Sequence, residues 1–243
     1  MKMSVKFKEY LIQSLREELE TAKRTDPEEL ASKIHSIGFY CNMCGKCCRK
    51  EHGDNTVIVS PEEIERICGH TGFRHTQVSI PLTEGTDALP DINYLEDNRD
   101  LIDREGNIHT FGWKMCQQRN GDCTFIREKG SGNSCSIYEV RPMLCSTYPF
   151  YMQDGELNVS ECEGLGKHIS IEQSLELAGK VRSRYIAEIQ ETILLYEKYE
   201  GFEQGPENVN KAFENILEGI IKYIVHDSRG IHRTALRIKQ IID

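Results

Sequence analysis

The sequence predicts a mainly α-helical protein of the α+β class, in which helices flank a loop-rich, cysteine-dense metal-binding centre with a small β-hairpin. Three observations lead to this prediction. Apolar residues recur at helical spacing near both ends of the chain. Ten cysteines lie between these two regions. An Asp-Gly pair separates two short apolar runs, which is a pattern typical of a hairpin.

Residues 1–38 are predicted to form N-terminal helices that pack on the core. The first helix spans about residues 5–23, and its apolar residues recur at every fourth position, which places them on one face: Phe7, Leu11, Leu15 and Leu19. The second helix begins after Asp26, which can cap it, and ends at Gly38.

Residues 169–243 are predicted to form a C-terminal helical region. Ser170 opens a long helix that runs to about Tyr199. A further helix is expected to begin at Pro206 and to continue as far as Ile224, because apolar residues recur there at helical spacing. A short final helix is expected to follow.

The cysteine-cluster metal-binding domain is predicted to cover residues 39–168. It is expected to contain a third helix over about residues 61–68 and a turn between two short strands at residues 104–107. Residues 153–156 form the predicted hairpin turn.

The cysteines are predicted to bind metal rather than to form disulfides. A chain of 243 residues can bury a core without covalent cross-links. The N-terminus lacks the apolar core of a secretory signal, and no run of about 18 apolar residues occurs, so we expect a cytoplasmic protein without a membrane partner. Thiols stay reduced in that compartment, where dense cysteines indicate metal binding or catalysis.

The charge and the missing motifs exclude several classes of function. The chain has 39 carboxylates and 30 lysines and arginines, and its net charge of −9 repels a phosphate backbone, so we expect no nucleic-acid partner. It lacks the His-Glu-x-x-His motif of zinc hydrolases, a phosphate-binding loop and the usual radical-SAM cysteine triplet. His52 is nearest to the first cysteines, and we expect it to be a solvent-facing loop residue.

The densest motif is Cys41-x-x-Cys44-x-x-Cys47-Cys48. Gaps of two residues let a tight turn direct several sulfurs at one centre, and Gly45 suits such a turn. Neighbouring side chains in an extended stretch point to opposite sides. We therefore expect either Cys47 or Cys48 to serve another centre or to support the site indirectly.

A tetrahedral ion or one face of a cubane needs more donors than this turn can aim at it, so later cysteines are expected to contribute. The candidates are Cys116, Cys123, Cys135, Cys145 and Cys162. Cys116 fits a ligand role and a packing role equally, whereas Cys68 is expected to be buried in a helix. Arg141 could stabilise thiolates by charge and hydrogen bonding, or donate to loop carbonyls instead.

These residues resemble the YkgJ-type cysteine-cluster family, which is described as a zinc- or iron-chelating domain. The matching motifs are the four-cysteine turn, Gly121-Asp122-Cys123-Thr124-Phe125-Ile126, Cys135-Ser136-Ile137-Tyr138-Glu139-Val140-Arg141-Pro142-x-x-Cys145, Tyr148-Pro149-Phe150 and, more loosely, Cys162-Glu163-Gly164. The resemblance covers roughly residues 38–166. The segment 70–112 is an insert relative to the family and is expected to form a pocket or a docking surface.

The resemblance implies a set of eight chelating cysteines, and Arg141 is the candidate for a cofactor-binding side chain beside them. The eight are Cys41, Cys44, Cys47, Cys48, Cys123, Cys135, Cys145 and Cys162. It also implies an iron-sulfur protein, and analogy with the flagellin lysine methylases suggests methyl or other group transfer. One dense turn joined by distant single cysteines suits a [4Fe-4S] cluster better than zinc, which remains the alternative. Eight donors permit one centre or two.

Two functional hypotheses follow. The first is an iron-sulfur (or zinc) binding protein that acts in redox chemistry or in methyl or group transfer. The alternative is a non-enzymatic metal-binding module that docks a larger complex, through a protein partner that contacts its helices. A solvent-accessible centre beside a cleft favours the first hypothesis, whereas an enclosed centre beside an apolar helical face favours the second.

Overall fold

A computed structural model describes residues 4–51, 55–83, 90–129 and 132–238, and it has a mixed α+β architecture in which helix exceeds strand. The described helices are α1 (Val5–Arg24), α2 (Pro27–Ile37), α3 (Pro61–Thr71), α4 (His75–Val78), α5 (Ile92–Asp97), α6 (Met143–Thr147), α7 (Ile171–Lys198) and α8 (Asn208–Leu217). The described strands are β1 (Ile58–Val59), β2 (Ser79–Pro81), β3 (Ile108–Phe111), β4 (Trp113–Met115), β5 (Ile126–Lys129), β6 (Gly132–Cys135), β7 (Phe150–Gln153), β8 (Glu156–Val159), β9 (Ile220–Asp227) and β10 (Gly230–Arg237).

The two predicted N-terminal helices are confirmed, and Asp26 caps the second as predicted. The Ser4 hydroxyl accepts a hydrogen bond from the Phe7 amide at the start of α1, and the Asp26 carboxylate accepts one from the Glu28 amide at the start of α2. Gly38 ends α2 with a positive φ of 75°, which a residue without a Cβ adopts at little cost. The sequence signals at both ends of α2 are therefore reliable.

The helical core forms where α1 and α2 pack against the long helix α7 and the β7–β8 hairpin. α7 opens with a capping box in which Ser170 and Gln173 each bond the other's backbone amide. The buried apolar residues of this core are Ala22, Leu30, Ala31, Ile34, Phe150, Met152, Ile169, Ala178, Val181, Tyr185, Ile189 and Ile193. The long helix predicted to open at Ser170 is confirmed, and its buried face is part of this core.

The sheet core forms around two three-stranded sheets with α3 and α8. One sheet has the antiparallel order β1-β4-β2, and the other has the order β10-β9-β3, in which β3 runs parallel to β9. Its buried residues are Val59, Ile64, Ile67, Val78, Leu95, Ile102, Ile108, Trp113, Met115, Phe125, Ile137, Val209, Ala212, Ile221, Tyr223 and Val225. The expectation of one small hairpin therefore underestimated the number of strands.

The helix predicted to run from Pro206 to Ile224 is wrong in its second half. α8 ends at Leu217, and Gly219, with a positive φ of 83°, leads into β9. The residues of β9 are mostly β-branched or aromatic and suit a buried strand, although their spacing also fits a helix. The short final helix is likewise wrong over residues 230–237, because β10 pairs with β9 along its whole length, and residues 239–243 lie outside the described residues.

Both predicted turns are present in the structure. Residues 153–156 connect β7 to β8, with positive φ values at both Asp154 and Gly155, as a tight hairpin turn requires. The turn at residues 104–107 is also present, although it joins an isolated bridge at Ile102 to strand β3. The predicted third helix continues to Thr71.

A buried polar network lies between β3 and β9. The Nδ1 atom of His109 is 2.8 Å from the Nε2 atom of His226. The Nε2 atom of His109 is 3.3 Å from a carboxylate oxygen of Asp103. The Phe202 ring stacks on His109 with 3.5 Å between ring centroids. Both histidines are almost fully buried, so proton uptake at either of them would place a charge away from water.

Among the residues that the structure describes, every helix is either too short or too polar to span a lipid bilayer.

We expect the stability of the protein to fall as the pH drops from about 6.5 towards 4. Burial first, and then the neighbouring His109, lowers the pKa of His226 from 6.5 to about 4. His226 takes up a proton at higher pH in the unfolded chain than in the folded chain. Its contribution to the free energy of unfolding is therefore fully present above about pH 6.5 and declines below that pH. The loss should reach about 2–3 kcal/mol and can be measured by urea unfolding followed through Trp113 fluorescence.

A His226→Gln variant provides the comparison, because glutamine cannot titrate but keeps polar atoms in the network. Its unfolding free energy should depend less on pH than that of the natural protein, with metal content determined at each pH. Equal pH dependence in the two proteins would refute the assignment to His226.

Candidate metal centre

A single cavity of about 190 Å³ gathers the predicted chelating residues. Its lining includes Arg141 and all eight cysteines: Cys41, Cys44, Cys47, Cys48, Cys123, Cys135, Cys145 and Cys162. Apolar residues from both cores complete its wall, with Phe39 packed on the helical core and Met115 belonging to the sheet core. The cavity therefore lies where the two cores meet.

The four-cysteine turn owes its shape to its backbone. Gly45 has a φ of 76°, and residues Lys46–Cys48 form one turn of 3₁₀-helix. The sulfurs of Cys47 and Cys48 are 4.0 Å apart. The expectation that these two side chains point to opposite sides is wrong, because it assumed an extended stretch and the backbone there is helical.

Asparagine side chains clamp the carbonyl groups of this turn at two points. The Asn133 amide donates to the Cys44 carbonyl at 2.6 Å and accepts from Arg49 at 2.7 Å. The Asn55 amide donates to the carbonyls of Cys48 and Gly121 at 3.0 and 2.8 Å. Sequence reasoning missed both asparagines, because nothing in their local sequence shows that they reach a distant turn.

Three of the later cysteines are placed by a backbone hydrogen bond, a strand and a short helix. The Cys123 amide donates to the Cys48 carbonyl at 2.8 Å, which fixes Cys123 beside the turn. Cys135 ends β6 and pairs with Ile126 of β5. Cys145 lies on α6, whose first amide, that of Met143, donates to the buried Glu63 carboxylate at 2.7 Å.

Cys162 lies on a separate segment that runs beside the start of the turn. The Gly164 amide donates to the Cys162 sulfur at 3.4 Å, and the Gly164 carbonyl accepts from the Tyr40 amide at 3.0 Å. The Lys46 ammonium forms an ion pair with Glu163 at 2.5 Å. These contacts place Cys162 next to the chain that precedes Cys41.

The thiols act on one another electrostatically. Burial, and then the neighbouring thiols Cys123, Cys47 and Cys135, raises the pKa of Cys145. Burial, and then the thiols Cys44, Cys47 and Cys41, raises the pKa of Cys162, against the effect of the Gly164 amide. Cys145 and Cys162 are thus influenced by different neighbours, and Cys47 is common to both.

The neighbouring thiols of Cys47 and Cys48 have pKa values that are shifted in opposite directions. A hydrogen bond from the Cys48 thiol lowers the pKa of Cys47 to about 7, with further help from the backbone amides of both residues and from Arg141. The same interaction, together with burial, raises the pKa of Cys48. Cys47 therefore ionises first, and a thiolate is the form that binds metal.

Arg141 lines the cavity close to these sulfurs. Its guanidinium carbon lies 3.7 Å from the ring centroid of Tyr138, which is a cation–π contact. Its Nε atom is buried and has no hydrogen-bond acceptor within the described part of the chain. A buried donor without an acceptor is uncommon in a folded protein and indicates an acceptor from outside the chain.

The remaining candidates lie away from the cavity. Cys68 is half-buried on α3 against the sheet core, and burial raises its pKa. Cys116 is half-buried, its thiol lies 3.7 Å from the Thr76 carbonyl, and burial raises its pKa to about 11. Neither residue lines the cavity. His52 lies outside the described residues.

The donor set suits a thiophilic metal, although the sulfurs do not yet meet at one point. Within the described ranges of the chain, no three His, Cys, Asp or Glu side chains are close enough together to hold one metal ion. Chelation would require the thiols to draw inward. Binding by several thiolates releases about 10 kcal/mol or more, which is enough to reorient exposed side chains such as Cys41 and Cys47.

A comparison with known protein families shows which family the chain belongs to. Residues 40–163, slightly more than half of the chain, match the CxxCxxCC family, described as "Putative zinc- or iron-chelating domain". The chain belongs to this family. The resemblance inferred from the cysteine motifs is therefore confirmed, and membership of the CxxCxxCC family supports metal binding, with zinc or iron as the metal.

A distant relative of this CxxCxxCC protein occurs in an archaeon. The chain is 27% identical over 195 residues to an uncharacterized protein of Methanocaldococcus jannaschii, and the match covers 78% of this chain and 86% of the relative. No solved structure matches the chain.

Replacing Gly164 with alanine should disturb the position of Cys162. A Cβ at this glycine would overlap the Tyr40 carbonyl oxygen and press against the Phe39 ring, so the 162–164 segment would have to move away from the turn. We expect a loss of about 1–3 kcal/mol in unfolding free energy, together with a lower metal content after purification. Urea unfolding and elemental analysis measure the two effects.

Gly179→Ala is the matched control, because the same change in the middle of α7 meets no atom within 4 Å. It should stabilise the protein by about 0.5–1 kcal/mol through helix propensity and leave the metal content unchanged. Natural stability and metal content in the Gly164→Ala protein would contradict the steric argument.

Proposed function

We propose that this chain is an iron-sulfur protein whose centre is open to solvent and takes part in redox or group-transfer chemistry. The proposal rests on one observation above the others. The eight cysteines line a single cavity, and two of them, Cys41 and Cys47, are exposed. A centre bound there would be within reach of a reaction partner.

The donors in the cavity favour an anionic, sulfur-rich group. The Gly164 amide donates a hydrogen bond to the Cys162 sulfur at 3.4 Å, and the Phe125 and Ile126 amides act against the effect of burial on the pKa of Cys123. Hydrogen bonds of this kind to cysteine sulfur are one of the means by which proteins tune iron-sulfur clusters. The unsatisfied Nε atom of Arg141 would gain an acceptor from such a group.

Iron is favoured over zinc by how the cysteines are distributed. A structural zinc site needs four thiolates and commonly takes them from two short Cys-x-x-Cys pairs. Here a triplet at two-residue spacing is joined by single cysteines from segments tens of residues away, as in cubane-binding proteins. When bound, a cubane supplies a one-electron couple or an iron site that can coordinate a substrate.

The alternative function is a non-enzymatic module that docks a larger complex. An enclosed centre beside an apolar helical face would favour it. α1 does present exposed apolar residues, with Val5, Phe7 and Tyr10 more than half exposed. The exposure of Cys41 and Cys47, however, is of no use to a purely structural centre, and it is the reason why we favour the first function.

Anaerobic purification tests the proposal. The protein should be brown, with a broad absorption band at about 400 nm, and should contain iron and acid-labile sulfide. Cys44→Ala should lower the band and the iron content, since Cys44 lines the cavity. Cys68→Ala should preserve both, because Cys68 lies on α3 outside the cavity.

A colourless protein with stoichiometric zinc and no sulfide would refute the iron-sulfur proposal. Equal iron loss in the Cys44→Ala and Cys68→Ala proteins would refute the location of the centre.

A further inference from the structure

We propose that the cavity holds two separate metal centres, each bound by four cysteines, and that the boundary between them runs between Cys47 and Cys48. The outer set is Cys41, Cys44, Cys47 and Cys162. The inner set is Cys48, Cys123, Cys135 and Cys145. This inference rests on the proposed metal binding and assigns every cysteine of the cavity to one centre.

The segments that carry Cys41 and Cys162 of the outer set are attached to the helical core. Phe39, which packs on that core, forms an isolated bridge with Leu165, and the Gly166 amide donates to the Gly38 carbonyl at 3.1 Å. The chain before Cys41 and the chain after Cys162 are thus held side by side. The Tyr40–Gly164 hydrogen bond of 3.0 Å continues this attachment up to the cysteines themselves.

The inner set is built mainly on the sheet core. Cys123 and Cys135 both pack against that core, and Phe125, which lies between them in the chain, is buried in it. The Ser136 amide donates to the Phe125 carbonyl at 2.9 Å, which ties the two cysteine-bearing segments together. Cys48 joins this group through its carbonyl, which accepts hydrogen bonds from Cys123 and Asn55.

Cys145 and Cys162 differ in their attachment. Cys145 lies on α6, which begins with the hydrogen bond to Glu63 of α3 in the sheet core and ends at Thr147, which accepts a hydrogen bond from Arg184 of α7. The Cys162 segment is held beside the start of the turn by the Tyr40–Gly164 hydrogen bond. Backbone contacts therefore place Cys162 with Cys41 and leave Cys145 for the inner set.

The spacing of the turn assigns its four cysteines. Three cysteines at two-residue gaps and one remote cysteine are the ligands of a cubane in bacterial ferredoxins, where the next cysteine of the run serves the other cluster. Cys41, Cys44 and Cys47 with Cys162 reproduce this pattern, which leaves Cys48 for the second centre. Because the Cys47 and Cys48 sulfurs are 4.0 Å apart, the two centres would be direct neighbours.

The outer and inner centres differ in their surroundings. Cys41 and Cys47 of the outer set are exposed, whereas none of the four inner cysteines is. We assign the cubane to the outer set, where a partner can reach it. The inner set is a closed site of four thiolates for a second thiophilic centre, and metal analysis distinguishes zinc from iron there.

The neighbouring variants Cys47→Ala and Cys48→Ala provide a matched test, because they remove the same atom one residue apart. Both full-length proteins are purified anaerobically, and iron, zinc and acid-labile sulfide are counted per chain. Cys47→Ala should lose about four iron atoms and about four sulfides while keeping the inner metal. Cys48→Ala should lose the inner metal and keep the cubane's iron and sulfide.

Identical losses in the two variants would overturn the division, as would a natural protein that contains a single centre. If Cys48→Ala does not fold, Cys123→Ala takes its place with the same expected result. A natural protein that binds no metal in any preparation would refute the proposed function itself, which is a different outcome from a single centre.

Discussion

The hydrogen bond from the Cys123 amide to the Cys48 carbonyl is the contact on which the cavity depends most. It joins residues that are 75 positions apart in the sequence and brings the sheet core to the end of the four-cysteine turn. Asn55 reinforces it, because its side-chain amide donates hydrogen bonds to a carbonyl of each segment, at Cys48 and Gly121. Without this junction the turn would keep its local shape and its contacts with the Cys162 segment, but it would lose an attachment to the cysteines of the sheet core.

Local signals in the sequence were sufficient for most of the helices. Ser4, Asp26, Ser60 and Ser170 all cap helices as their chemistry predicts, since a side-chain oxygen next to unpaired amides stabilises a helix start wherever it occurs. The Asp154-Gly155 turn is equally local. Features of this kind depend on neighbours within a few residues, which is why they can be read without a structure.

Features that depend on distant partners could not be read in this way. The run Ile220–Asp227 is apolar at spacings that suit both a helix and a strand, and its pairing with β3, more than 100 residues earlier, decides the matter. The same limit applies to the site. The cysteines stood out by their number, but the clamping role of Asn55 and Asn133 exists only in the folded chain.

The position of the cavity between the two cores has a consequence for how the molecule unfolds. The chelating side chains come from segments fixed to both cores, so a loaded cavity adds a cross-link to the direct contacts that Tyr199, at the end of α7, makes with Phe111 and His226 of the sheet core. Metal occupancy would then strengthen the cooperativity with which the two cores unfold. Oxidants that attack exposed thiolates would thereby loosen the whole architecture, beginning at the rim of the cavity.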